Sequence, residues 1–145
     1  MQPQQITANG ITITYEDKGP RDAPVMFLIM GLGGQLTLWP DEFIDALNGR
    51  GFRTIRYDNR DVGHSTRFDA AGVPNVKWMV VKSIFGLRPT SPYTIADMAS
   101  DATALMDALE INRAHVVGAS MGGMIAQHVA ARAPDRLLSL TSVMS

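Results

Sequence analysis

Residues 115–130 read HVVGASMGGMIAQHVA, and within them Gly118, Ser120 and Gly122 set a serine between two glycines. A serine hydroxyl is a weak nucleophile until its surroundings activate it. The spacing Gly-x-Ser-x-Gly suits a sharp strand-to-helix turn, in which glycines let strand and helix approach and the serine is lifted clear of the backbone. The helix that follows offers free N–H groups and the positive end of its dipole, and such groups stabilise the oxyanion of acyl transfer. Met30-Gly31-Leu32-Gly33-Gly34 forms a second glycine-rich loop, after the third predicted strand. The N–H of Leu32, next after Gly31, is the candidate for a further oxyanion donor. No Gly-Lys-Ser/Thr follows this loop, so it is not a phosphate loop.

These residues need elements to hold them. QITANGITITYED predicts a hairpin turning at Asn9-Gly10, two residues that tolerate positive φ. Val25 to Met30 is a continuous apolar run, as in a strand covered on both faces. PDEFIDALNGRG predicts a helix with Phe43, Ile44 and Leu47 on one side, and FRTIRYD a further strand. YTIADMASDATALMDALEI is the clearest helix, opened by a Thr94/Asp97 capping box and striped by Ile95, Met98, Ala102, Leu105, Met106 and Leu109. AHVVGAS reads as a strand, MGGMIAQHVAARA as a helix stopped by Pro134, and LLSLTSVM as a last apolar strand. Strands alternating with helices predict an α/β fold: a mostly parallel sheet with an N-terminal hairpin and helices on both faces. In such sheets ligands gather at the C-terminal ends of the strands. Residues 31–34, 58–65 and 118–122 all fall at that edge. Asn75 to Pro89 could add a short apolar helix over the pocket mouth.

The 145 residues suggest one domain, 1–145, at ~100–200 residues per domain. A net charge of −1 with no basic stripe gives no support for nucleic-acid binding. Without cysteine there is neither a disulfide nor a thiolate metal site, which fits a reducing cytoplasm. The polar start MQPQQITANG is unlike a signal peptide, and no apolar run approaches the ~20 residues that span a bilayer.

In combination, LIMGLGGQLTLWP, RYDNRDVGHST, YTIADMASDATALMDAL and HVVGASMGGMIAQHVA resemble the N-terminal part of an α/β-hydrolase, over nearly the whole chain. The resemblance is nearest to esterase-like members with Met-Gly-Leu-Gly in place of the commoner His-Gly, a group that includes methylesterases of the aclacinomycin type. It implies Ser120 as nucleophile and the backbone N–H groups of Met121 and Leu32 as the oxyanion hole. It implies a small-molecule ester as substrate, with no metal and no organic cofactor. A serine at position 120, rather than an aspartate, argues against dehalogenase or epoxide hydrolase chemistry.

The family's triad runs serine, acid, histidine along the chain. After Ser120 come only His128, eight residues into the next helix and ~12 Å along its axis, and Asp135, in the turn at the opposite sheet edge. His115 begins the strand that ends at Ser120, so it too lies at the wrong end. His64 is at the correct edge but reads as a loop residue. Asp58, Arg60 and Asp61 are expected to pair with one another or with the backbone to hold that loop. The acid, the histidine, a cap and two more strands are therefore expected beyond Ser145, and the last strand is left as an exposed apolar edge open to self-association. Acyl transfer and cofactor-free perhydrolysis fit the same serine. A hydrolase-fold module that only binds, or that a second chain completes, is the alternative from another class.

Overall fold

The computed structural model describes residues 2–68 and 92–145. The expected helix within 75–89 lies outside the described residues. Among these, six strands form one sheet in the order β1-β2-β4-β3-β5-β6. The strands are β1 (Gln4–Ala8), β2 (Ile11–Lys18), β3 (Val25–Ile29), β4 (Arg53–Tyr57), β5 (Ala114–Ala119) and β6 (Leu137–Val143). β1, β2 and β4 pair antiparallel, whereas β4, β3, β5 and β6 run parallel. Asn9 and Gly10 make the hairpin turn with φ of 51° and 73°, the left-handed values that an Asn-Gly turn requires.

Helices α1 (Asp41–Asn48), α2 (Ile95–Ala108) and α3 (Met121–Arg132) join the parallel strands. Alternate residues of β3 and β5 point to opposite faces. Phe27, Ile29 and Val116 face the core beneath α2 and α3, with Met98, Leu105 and Ile125. Leu28 and Val117 face α1 through Ile44, with Met26 and Trp39 against them. This two-sided burial is why β3 carries no polar residue, and each such side chain stabilises by about 1.5–3 kcal/mol. α1 is thinner cover than its sequence suggests. Ile44 is its one buried residue, while Phe43 is exposed and stacks on Trp39.

α2 begins with the expected capping box. The Thr94 side chain accepts the Asp97 N–H, and the Asp97 carboxylate accepts the Thr94 N–H at 2.7 Å. Hydrogen bonds from the Thr94 backbone and hydroxyl hold the Asp97 carboxyl below the usual carboxylate range. A lowered folded value makes the box's contribution present at neutral pH and lost as the pH falls through that value. β6 forms an edge of the sheet, with Leu138, Leu140 and Val143 exposed on its two faces.

Candidate active site

β5 ends at Ala119 and α3 begins at Met121, so the whole reversal falls on Ser120. Its φ of 53° and ψ of −126° lie where side-chain-bearing residues seldom go, at a cost of about 1–3 kcal/mol. The surroundings enforce this geometry. The Ser120 N–H donates to the Val143 carbonyl at 2.8 Å, and the Gly123 N–H returns to the Ser120 carbonyl at 2.8 Å. A Cβ added to Gly118 would lie 2.2 Å from the Gly122 carbonyl oxygen, and one added to Gly122 would lie 2.2 Å from that of Ile29. Helix and strands thus touch backbone to backbone, which only glycine permits. Ser120 is exposed, and its hydroxyl caps no N–H of α3.

The loop after β3 lies against this turn. A Cβ on Gly31 would come 3.0 Å from Ser120 Cβ and 3.1 Å from the Ala119 carbonyl. Leu32 follows with its side chain 83 % exposed, and Gly33 turns the chain with φ of 66°. The Gly34 N–H closes the loop onto the Gly31 carbonyl at 3.1 Å. Ser120, Gly31, Leu32, Gly33, Gly118, Met121 and Gly122 are therefore brought together at one edge of the sheet. A hydroxyl raised on a turn, beside a helix N-terminus whose first N–H groups lack intrahelical acceptors, is the arrangement that acyl transfer needs.

The histidines lie elsewhere. His115 pairs in register with Met26 near the start of β3, bonds Ser139 through Nδ1 at 2.8 Å and meets the edge of Phe52. His128 is exposed on α3, and Asp135 sits in a short 3₁₀ turn before β6, at the far end of the strands. His64 is at the near edge with its side chain exposed. Its N–H bonds Asp58, its carbonyl accepts from Gln5, and it makes no hydrogen bond to Ser120. Among the described residues no cluster of three His, Asp or Glu gathers as a metal site. A cleft of about 310 Å³ between α2 and α3, lined by Ser100, Thr103, Asp107 and Arg132, contains none of the residues around Ser120.

Asp61 braces its own loop as expected, accepting the Phe68 N–H at 2.5 Å, and Asp58 accepts the His64 N–H within it. Arg60 departs from the expectation. Arg60 reaches to α2 and bonds both oxygens of Asp101 at 2.7 Å. The Asn9 amide donates to the same carboxylate at 2.7 Å. Phe68 and Tyr93, whose rings meet each other at 5.6 Å, both lie against the guanidinium, at 5.2 and 5.1 Å. Burial, then a hydrogen bond with Asp61, push the Tyr93 phenol up to about 12. The signal was Asp101 itself, a carboxylate between Met98 and Leu105 on the apolar stripe of α2, which demands a buried partner.

The fold and this elbow define a hydrolase-type α/β protein, and the chain belongs to the alpha/beta hydrolase fold family, whose profile matches residues 24–145. It is similar to the rhodomycin D methylesterase DauP of Streptomyces sp. (strain C5), 39% identical over 147 residues, with 99% of this chain and 42% of that protein covered. Among solved structures it is similar to the enol-lactonase from Burkholderia xenovorans LB400, with a TM-score of 0.71 and 34% identity over 92% of this chain and 44% of that one. A hydrolase from Pseudomonas aeruginosa PA01 matches with a TM-score of 0.71 and 32% identity, over 93% and 43%. The chain spans less than half the length of these relatives. Among the described residues, no helix is long and apolar enough to cross a membrane.

Proposed function

We propose that this chain carries the nucleophile half of a serine hydrolase acting on small-molecule carboxylic esters. Ser120 Oγ attacks the acyl carbonyl carbon. As that bond forms, the carbonyl electrons move to oxygen, and the N–H groups of Leu32 and Met121 hold the resulting oxyanion. Collapse of this intermediate expels the alcohol, and water then releases the acid. A histidine oriented by an acid, both from outside these 145 residues, accepts the serine proton and returns it to the leaving alcohol. One observation carries the reading: Ser120 is strained into a left-handed conformation with its hydroxyl exposed, while Gly31 presses on it from the neighbouring loop. The solvent-exposed Leu32 side chain supports a role for its backbone rather than its side chain. The names of the esterase and lactonase relatives support the ester class.

The second reading is a module that binds without catalysing, or that another chain completes by pairing with β6. It draws on the absence of any described histidine bonded to Ser120. A fluorophosphonate separates a nucleophilic Ser120 from a module that only binds. Without a base, the oxyanion hole still stabilises the negative charge that develops on the phosphoryl oxygen, and hydroxide in solution takes the serine proton. In mildly alkaline buffer, Ser120 should therefore be phosphonylated ahead of Ser100, whose hydroxyl donates to the Ala96 carbonyl, as peptide mapping by mass spectrometry would show. Labelling of Ser120 no faster than Ser100 overturns the nucleophile assignment.

A further inference from the structure

Asp58 and Asn59 follow directly after β4, and both are buried, at 2 % and 3 % exposure. Asp58 Oδ1 accepts the N–H of Leu36 at 2.7 Å, and Oδ2 accepts the N–H of His64 at 3.2 Å. Asn59 Nδ2 donates to the carbonyl of Met30 at 2.8 Å. Met30 and Leu36 are the two ends of the loop that carries Gly31 and Leu32. Two consecutive side chains thus grip that loop at its entry and at its exit. Their own backbone is fixed in turn. The Asp58 N–H donates to the Thr14 carbonyl at 2.9 Å, and Ser65 Oγ donates to the Asp58 carbonyl at 2.7 Å. A Cβ on Gly63 would fall 2.0 Å from Asp58 Oδ2, so the loop packs onto the carboxylate. Among the described residues no lysine or arginine pairs with Asp58. A buried carboxylate without a cation is costly to keep, and Asp58 accepts from the backbone N–H groups of Leu36 and His64.

We propose that Asp58 and Asn59 are positioning residues that set the oxyanion loop against Ser120. They touch no substrate. They act through the backbone of residues 30–36, fixing where the Leu32 N–H points. The inference rests on the roles given to Ser120 and Leu32 above. A loop loosened by about 1 Å costs on the order of 10²-fold, and loss of one oxyanion donor about 10²–10³-fold.

The test is the rate at which a fluorophosphonate labels Ser120 in the 145-residue chain. In that step the Oγ–P bond forms, P–F breaks, fluoride leaves and the hydroxyl proton passes to solvent hydroxide. Asn59→Ala and Asp58→Asn are compared with Thr94→Ala, which removes the α2 cap without touching the loop. Amide hydrogen exchange is read at Leu32–Leu36 and across β5. The expected result is a labelling rate at least 10-fold lower in both loop variants, with faster exchange at Leu32–Leu36 and unchanged protection in β5, while Thr94→Ala labels at the wild-type rate. A role in stability alone would lower the melting temperature of all three and slow none. If Ser120 labels selectively in the wild type and equally fast in Asn59→Ala, the positioning role is overturned and the nucleophile reading stands. If the wild type shows no selective labelling, both fall together. Should Asp58→Asn fail to fold, Asn59→Ala decides alone.

Discussion

Ser120→Ala is expected to erase the selective fluorophosphonate label while leaving the melting temperature of the chain unchanged within about 2 °C. The two halves of this expectation have separate causes. Labelling needs Oγ, and alanine has none. Stability does not need it, because the hydroxyl is exposed and caps no N–H of α3. Alanine keeps the Cβ, so it keeps whatever strain Ser120 bears at φ 53°. Ser120→Gly should differ. Removing Cβ relieves about 1–3 kcal/mol of backbone strain, and the added chain entropy of glycine returns roughly 0.5–1 kcal/mol. The net gain is about 1 kcal/mol, or about 3 °C in melting temperature. The variant that loses all reactivity would then be the most stable of the three. A Ser120→Gly chain that melts below the wild type would show that the elbow is relaxed, and that its geometry is not held against a cost.

Asp101→Ala is expected to cost about 3–5 kcal/mol, a large share of the 5–15 kcal/mol that holds a typical domain together. The Arg60 guanidinium would remain against Phe68 and Tyr93 with its bidentate partner gone, a buried charge unable to neutralise itself. The amide of Asn9 would lose its acceptor in the same step. Because the cluster joins the β1–β2 turn, the loop after β4 and α2, the loss would be felt across the fold. Thermal unfolding followed by circular dichroism reads the cost. The double variant Arg60→Met with Asp101→Leu should recover most of it, since a buried ion pair can often be exchanged for apolar side chains without loss. A cost below about 1 kcal/mol for Asp101→Ala would mean that water reaches the guanidinium.

The parts of the fold that a reader can extract from the sequence are those fixed by neighbours in the chain. Asn9-Gly10 needs only its own backbone freedom to declare a turn, and Thr94 with Asp97 closes a box within one helical turn. Gly118, Ser120 and Gly122 likewise form an elbow within five residues. What escaped was paired at a distance. Nothing near Arg60 indicates that its carboxylate lies 41 residues further on, and nothing near Asp58 points to the Leu36 N–H. Those bonds exist because β4 lies beside β3 and faces α2, and strand order is a property of the whole sheet. The exposure of Phe43 has a similar origin. Its spacing matches that of a buried residue, yet Trp39 offers it a flat surface outside the core.

The central position of β3 also governs the timing of folding. Its pairing with β5 joins Ile29 to Gly118, residues separated by most of the chain, whereas β1 and β2 meet across a two-residue turn. Closing the long loop costs entropy before any contact repays it, so pairings of this range form late. Ser120 acquires its neighbour Gly31 only when that register locks. A nascent chain that has just extended past Ser120 therefore carries an ordinary, unactivated hydroxyl. Pulsed amide-exchange labelling during refolding would show this as protection of β1 and β2 ahead of β3 and β5, and equal rates for the two pairs would refute it.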